Sequence, residues 1–286
     1  MDLPMKTIRL ALLLLFYCVG CNAQSRKSDV EGKKEIRVMM ETSAGKIVIK
    51  LYNETPRHRD NFVKLVREGF YDGLLFHRVI NHFMIQTGDP ESRNASPDKM
   101  LGTGGSGYTL PAEIVPAYIH KRGAVAAART GDNVNPLRHS SGSQFYIVQG
   151  NTVSEDQLHQ AEANINAARR QYFFYRYYLS PENQPLRNRV DSLRKAGNQK
   201  ALDSLARQVE IEVNRMLNET PPFRYTPEQI QTYTSMGGTP HLDQAYTVFG
   251  EVVEGMEVVD KIAASPTGQG DRPLEDIRII SMKIIE

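Results

Sequence analysis

One run of the 286-residue chain gathers groups that could act on a substrate: Phe76-His77-Arg78-Val79-Ile80-Asn81-His82-Phe83-Met84-Ile85-Gln86-Thr87-Gly88-Asp89. Apolar and polar residues interleave in two short segments, broken at Asn81-His82 where a turn costs little. That pattern predicts two β-segments joined by a tight connection. Side chains alternate faces along a strand, so Arg78 and Ile80 share one side, as do Met84 and Gln86. If those sides converge, one guanidinium and one amide sit among Phe83, Met84 and Ile80. An apolar cleft with a few fixed polar donors is the usual makeup of a site for a peptide or small ligand. The plainer alternative is a half-buried strand with Arg78 in solvent. His77 invites assignment as a base, but strand alternation turns it away from Arg78 and predicts a structural hydrogen bond for it.

Other chemistry finds less support. No Ser-His-Asp arrangement, catalytic carboxylate pair or HExxH string presents itself. Gly102-Thr103-Gly104-Gly105-Ser106-Gly107 satisfies a dinucleotide fingerprint, which has meaning only between a strand and a helix. Tyr108-Thr109-Leu110-Pro111 follows with no helical period, so the glycines are read instead as backbone lying close to a bound chain. The small residues from Gly123 to Ala128 would let a substrate chain lie against a strand, or let a sheet interior pack closely. His82, His120 and His241 are scattered without ligand spacing, so neither a metal nor a cofactor is expected.

The elements that must hold the central run are legible on both sides of it. Ile36, Val38 and Met40, then Ile47, Ile49 and Leu51, alternate with polar residues around Ser43-Ala44-Gly45, which reads as a β-hairpin. Thr55-Pro56 opens a helix with Thr55 as its cap, an apolar stripe of Phe62, Leu65 and Val66, and Gly69 as its stop. Gln144 to Val148 is a further strand, and Ile277 to Ile285 a closing one that is apolar on both faces. Between them, Ser154-Glu155-Asp156-Gln157 begins a helix with a capping box, Ser180-Pro181-Glu182 a second, and Ala201 to Leu217 a third. The aromatic run Tyr172 to Tyr178 serves either to glue these helices together or as an exposed patch for a partner.

The central run closely resembles the signature of cyclophilin-type peptidyl-prolyl cis-trans isomerases. Three further blocks match that family in order: Gly102-Thr103-Gly104-Gly105, Gly142-Ser143-Gln144-Phe145-Tyr146-Ile147, and Leu242-Asp243-Gln244-Ala245-Tyr246-Thr247-Val248-Phe249-Gly250-Glu251-Val252. The resemblance covers residues 35–150 and 237–286 and leaves 151–236 as a helical insertion, read as a hairpin or subdomain. It implies a mostly β fold, a closed antiparallel eight-stranded barrel with flanking helices. It also implies an isomerase acting on X-Pro bonds of polypeptide clients, with Arg78, Phe83 and Gln86 as its catalytic residues. Arg78 would donate to the prolyl amide and Gln86 would orient it. Phe83, Met84, Tyr146 and Leu242 would line the proline pocket, with Ile80, Gly102, Gln144, His241 and Tyr246 around it. Ala128 and Arg129 would flank the substrate backbone. Tyr146 stands where the family usually has Phe, so its hydroxyl needs a partner. Tyr246 replaces a frequent His, and His241 a frequent Trp that contacts cyclosporin, so weak cyclosporin affinity is expected. A non-catalytic proline-peptide module or holdase is the alternative.

Lys6 and Arg9 precede an apolar run from Leu10 to Gly20, too short to span a bilayer as a helix. Cys18-Val19-Gly20-Cys21 then resembles a bacterial lipoprotein box in which Cys21 would be acylated, and 22–34 reads as a polar tether. A plain secretory signal cut after Ala23 is the alternative. The expected setting is the bacterial cell envelope, as a periplasmic or outer-membrane lipoprotein. Both cysteines lie in this leader, so the body has no disulfide to form. A net charge of +2 argues against nucleic acid as a partner, and the chain is expected to act as a monomer.

Overall fold

The computed structural model describes residues 35–285, so Cys18, Cys21 and the tether expected over 22–34 lie outside the described residues. The described chain opens with the hairpin β1 (Ile36–Thr42) and β2 (Gly45–Leu51), paired so that Val38 faces Ile49 and Met40 faces Ile47. Their inward side chains are fully buried, as the alternation predicts. Helix α1 (Pro56–Arg67) follows, burying Phe62, Leu65 and Val66. Thr55 does not cap it. The Glu113 carboxylate takes the free N–H groups of Arg57 and His58 at 3.1 and 3.0 Å. A full negative charge at a helix N-terminus outcompetes a neutral hydroxyl for those donors.

Strands β3 (Arg78–Ile80) and β4 (Met84–Thr87) come next, joined through His82 at a φ of 64°. Then follow β5 (Thr109–Leu110), β6 (Ala124–Ala127), β7 (Ser140–Ser141) and β8 (Phe145–Val148). Four helices occupy the next stretch: α2 (Glu155–Tyr178), α3 (Gln184–Lys195), α4 (Gln199–Glu219) and α5 (Pro227–Ser235). The chain finishes with β9 (Val248–Glu254), α6 (Met256–Ala263) and β10 (Ile279–Ile284). Eight strands form one curled antiparallel sheet in the order β10-β1-β2-β9-β6-β8-β4-β3, with β5 and β7 paired apart.

The closed barrel expected from the sequence is open as a strand ladder, because β10 and β3 end the sheet without pairing to each other. The residues ahead of β3 hydrogen-bond to the start of β10 instead, Gly73 to Ile279 and Phe76 to Ile277 among them. Gly73 at a φ of 80° keeps that segment out of strand geometry, so the sheet is a half-barrel. Its concave face holds the main core: Val79, Ile85, Val125, Ile147 and Phe249 meet Phe62 of α1 and Val259 and Ile262 of α6.

The capping box at Ser154 forms, with Gln157 as its other half. Phe173 of α2 is buried against Val209 and Val213 of α4, while its neighbour Phe174 is exposed and stacks on Tyr178 at 5.5 Å. The aromatic run is therefore divided, one ring packed between α2 and α4 and the next on the surface. Helix α5, which the spacing does not predict, starts at a second capping box on Thr226 and buries Tyr233. Among the described residues no helix is long and apolar enough to cross a membrane.

Candidate active site

Register places the site. Arg78 of β3 lies opposite Gln86 of β4, which lies opposite Tyr146 of β8, which lies opposite Ala126 of β6. The next row on the same convex face is Ile80, Met84 and Val148. A second apolar cluster covers this face: Met84, Ala124, Ala126, Ala128, Tyr146, Val148 and Val248 are buried, with Ile80, Phe83, Leu242 and Tyr246 packed over them. The small residues at 124, 126 and 128 keep the surface low, which is what a chain lying across it requires. His241 extends the surface by stacking on Phe83, ring centroids 5.4 Å apart.

Polar groups border this cluster in a fixed order. Gln86 donates to the Gln144 side chain at 2.9 Å, and Gln144 donates in turn to the carbonyls of Gly102 and Gly104 at 3.0 and 2.6 Å. The amides of Gly102 and Gly104 point at the buried carboxylate of Asp89, at 2.6 and 3.3 Å. Groups that would cradle a phosphate in a nucleotide loop are thus occupied by the protein's own carboxylate, and no helix follows the loop. Among the described residues no three His, Cys, Asp or Glu side chains gather as metal ligands would.

Arg78 is half exposed, and its Nε donates to Asp271 at 3.2 Å rather than to Gln86. Asp271 holds a left-handed φ of 59° in the loop before β10, which sequence spacing does not reveal. Both partners are about two-fifths exposed, so the pair positions the guanidinium more than it stabilises the fold. Replacing Asp271 with alanine is expected to lower turnover of a proline peptide by about two- to fivefold, the range of an exposed ion pair, with no change in unfolding midpoint. Steady-state kinetics beside a urea titration would check both halves of that expectation.

The backbone role expected of Ala128 is limited by pairing already made. Its N–H donates to Gln144 and its carbonyl accepts from Ser141, so a bound chain finds no free donor there. Arg129 packs its guanidinium 4.3 Å from the centre of the Tyr246 ring and donates Nε to the Ala245 carbonyl at 2.8 Å, bracing the rim.

Tyr146 finds the partner its hydroxyl requires. It meets Nε2 of His120 at 3.0 Å, and Nδ1 of His120 meets Asp243 at 2.7 Å. Asp243 also accepts from the hydroxyls of Tyr225 and Tyr233 at 2.8 and 2.6 Å and from the His120 backbone N–H at 2.7 Å. Burial pushes all three phenols well above the ordinary tyrosine value, so each remains a protonated donor. With Nδ1–H on Asp243, Nε2 presents its lone pair to Tyr146, and only the ring of Tyr146 faces the cluster. Neither His120 nor Asp243 stands out in the sequence as a site residue, since the five groups are scattered along the chain.

His77 is buried. It precedes β3 by one residue, so strand alternation does not govern it, and its ring lies beside Gln86, with the nearest nitrogens 3.5 Å apart. Burial lowers its pKa to about 4 from an ordinary value of 6.5, against a partial counter-effect from Asp89. It is neutral at pH 7 and fits no catalytic acid role there. Between pH 6.5 and 4 the unfolded chain binds a proton that the folded one does not, so stability falls as the pH falls through that window. The contribution is about 3 kcal/mol, complete above pH 6.5 and lost below pH 4. His58, whose pKa burial also lowers, adds a loss of the same sign. Urea titrations from pH 7.5 to 4 should therefore show a steeper decline for the native chain than for His77→Gln.

The model of the cyclophilin type peptidyl-prolyl cis-trans isomerase/CLD family matches residues 37–167 and 225–284. A protein of Staphylococcus saprophyticus provisionally named a peptidyl-prolyl cis-trans isomerase is 29% identical over 266 residues, 93% of this chain and 99% of its own. One of Staphylococcus aureus with the same name is 29% identical over 253 residues, 88% of this chain and 93% of its own. Among solved structures, a Cryptosporidium parvum cyclophilin type peptidyl-prolyl cis-trans isomerase superposes with a TM-score of 0.52 at 18% identity, covering 88% of this chain and 99% of that one. The same enzyme crystallised in the presence of the dipeptide Ala-Pro gives 0.51, covering 87% and 99%. Matched by the family model along the strands that carry the site and by relatives along nearly their whole length, the chain belongs to the cyclophilin-type peptidyl-prolyl cis-trans isomerases.

Proposed function

We propose that this chain accelerates X-Pro rotation with Arg78 as the donor and the convex apolar cluster as the seat of the proline ring. The barrier arises from amide resonance and amounts to about 18–20 kcal/mol for a peptide bond. No covalent bond is made or broken, so no general base is required. A donor aimed at the prolyl nitrogen draws its lone pair out of conjugation and favours the twisted transition state over both planar ground states. Arg suits that task because its guanidinium is always charged, planar and forked. Phe83, Met84, Leu242 and the ring of Tyr146 would hold the pyrrolidine, while Gln86, Gln144 and the backbone of Arg129 would meet the flanking chain.

One observation carries this reading: the donor and an uncharged apolar floor share one sheet face, with the intervening Gln86 amide held by Gln144. The test is cis-trans exchange in a short Ala-Pro peptide, followed by NMR with the full-length protein. Uncatalysed exchange takes tens to hundreds of seconds, so catalysis is plain if cross-peaks appear on a subsecond mixing time. Binding without accelerated exchange would leave a proline-peptide module in place of an isomerase. The leader sequence supports clients that are themselves exported and an acyl anchor on Cys21, with 151–236 as a helical insertion beside the isomerase body. Retention of Cys21→Ser in the detergent-rich phase on extraction would count against the anchor.

A further inference from the structure

A groove of about 780 Å³ runs between residues 161–176 of α2, the 220–224 segment and the loop that carries the rim of the proline site. Its floor is aromatic, with Tyr172, Phe173 and Phe223, and its walls carry Arg138, Arg169, Arg176 and Arg224. Only two carboxylates line it. Asp243 is committed to the buried network and Asp132 to Arg129 and Arg138. Arg224 pairs with Glu162, and Arg138 lies over the Tyr172 ring while donating to the Gln244 carbonyl. Among the described residues, Arg169 donates only to the Thr220 carbonyl and Arg176 has no partner. Two guanidinium groups therefore stand over an apolar floor without an acidic partner.

The groove is continuous with the proline site. His241, Gln244 and Ala245 line it, and the same His241 stacks on Phe83. A chain leaving the cluster at Phe83 passes over His241 and enters the groove. We propose that the groove is a second subsite for the same polypeptide, taking a carboxylate-bearing segment that flanks the client's proline. Charge decides the occupant: unpaired arginines over aromatic rings favour Glu and Asp side chains with apolar neighbours and disfavour a basic segment. The proposal rests on the isomerase reading of the cleft, and its test separates the two.

Two Ala-Pro peptides would be compared on the full-length protein, one neutral and one carrying four glutamates beyond a short Gly-Ser spacer, with the acidic segment placed on each side in turn. In low salt the acidic peptide on the correct side should show a KM about tenfold below the neutral one, with kcat unchanged, since two exposed charge pairs supply roughly that much. The preference should fall below about twofold in 0.5 M salt, where screening is short-ranged. It should fall equally in Arg176→Glu, a substitution that disturbs no internal contact, and in Arg169→Ala/Arg176→Ala. Turnover of the neutral peptide should be unaffected by either variant. Equal KM values for the two peptides, or a preference that survives Arg176→Glu, would overturn the subsite. If neither peptide is turned over but calorimetry still shows Arg176-dependent binding of the acidic one, the groove stands and the catalytic reading falls.

Discussion

Replacing Arg78 with alanine is expected to lower kcat/KM for a proline peptide by about 10²–10³-fold, the usual loss when one preorganised donor to a transition state is removed. The fold should not notice. Arg78 is half exposed on the edge strand β3, and its one ion pair is with a residue just as exposed. The apolar cluster lies on β4, β6 and β8, behind it. A lost rate at an unchanged urea midpoint therefore separates chemistry from folding. KM should move little, since Phe83, Met84 and Leu242 still receive the ring. Arg78→Lys sharpens the argument, because it keeps the charge and discards the planar fork. If charge alone mattered, lysine would restore most of the rate. The expected result is a variant within about tenfold of alanine, since the donor must be both aimed and rigid. A native rate in Arg78→Ala, by NMR exchange, would remove the donor assignment altogether.

The residues involved show why that site could be read early and its supports could not. Arg78 and Gln86 face each other because two short strands alternate with period two around a turn, and alternation is a local property. The capping box at Ser154 and the apolar positions of α4 are local in the same sense. Asp271 reaches Arg78 across 193 residues, and Glu113 caps α1 from 55 residues beyond His58. Nothing in either neighbourhood announces the contact. For His77 the local rule stops one residue short, because β3 begins at Arg78 and alternation applies only within a strand. Barrel closure failed as an expectation for a related reason. Whether two edges meet depends on the accumulated register and curl of every strand between them, and each bulge alters that sum, including those at Glu41/Thr42 and Val48/Ile49.

Asp243→Ala should produce the largest loss of stability of any single substitution considered, about 3–5 kcal/mol, as for breaking a buried charged network by deleting one member. The carboxylate is fully buried and accepts four hydrogen bonds, from the His120 backbone, the His120 ring and two tyrosine hydroxyls. Alanine leaves three of these donors without a partner in a place water does not reach, Tyr225 alone keeping a second acceptor in the Pro240 carbonyl at 3.3 Å, and each unmet donor has its own desolvation cost. The urea midpoint should fall with an unchanged slope if the denatured state is unaltered. Tyr146→Phe cuts the network at its far end, orphaning only Nε2 of His120, and should cost about 1–2 kcal/mol. That variant keeps the ring that faces the cluster, so its kcat should stay within about twofold of native, the ring's packing being conserved. Asp243→Ala should instead raise KM as well, because Leu242 precedes Asp243 and Tyr146 leans on His120. A loss under 1 kcal/mol would mean that the network is redundant. The expected loss would mean that Tyr225, and Tyr233 on α5, hold the proline site in shape through one carboxylate, so that the helical segment tunes the cleft without touching a substrate.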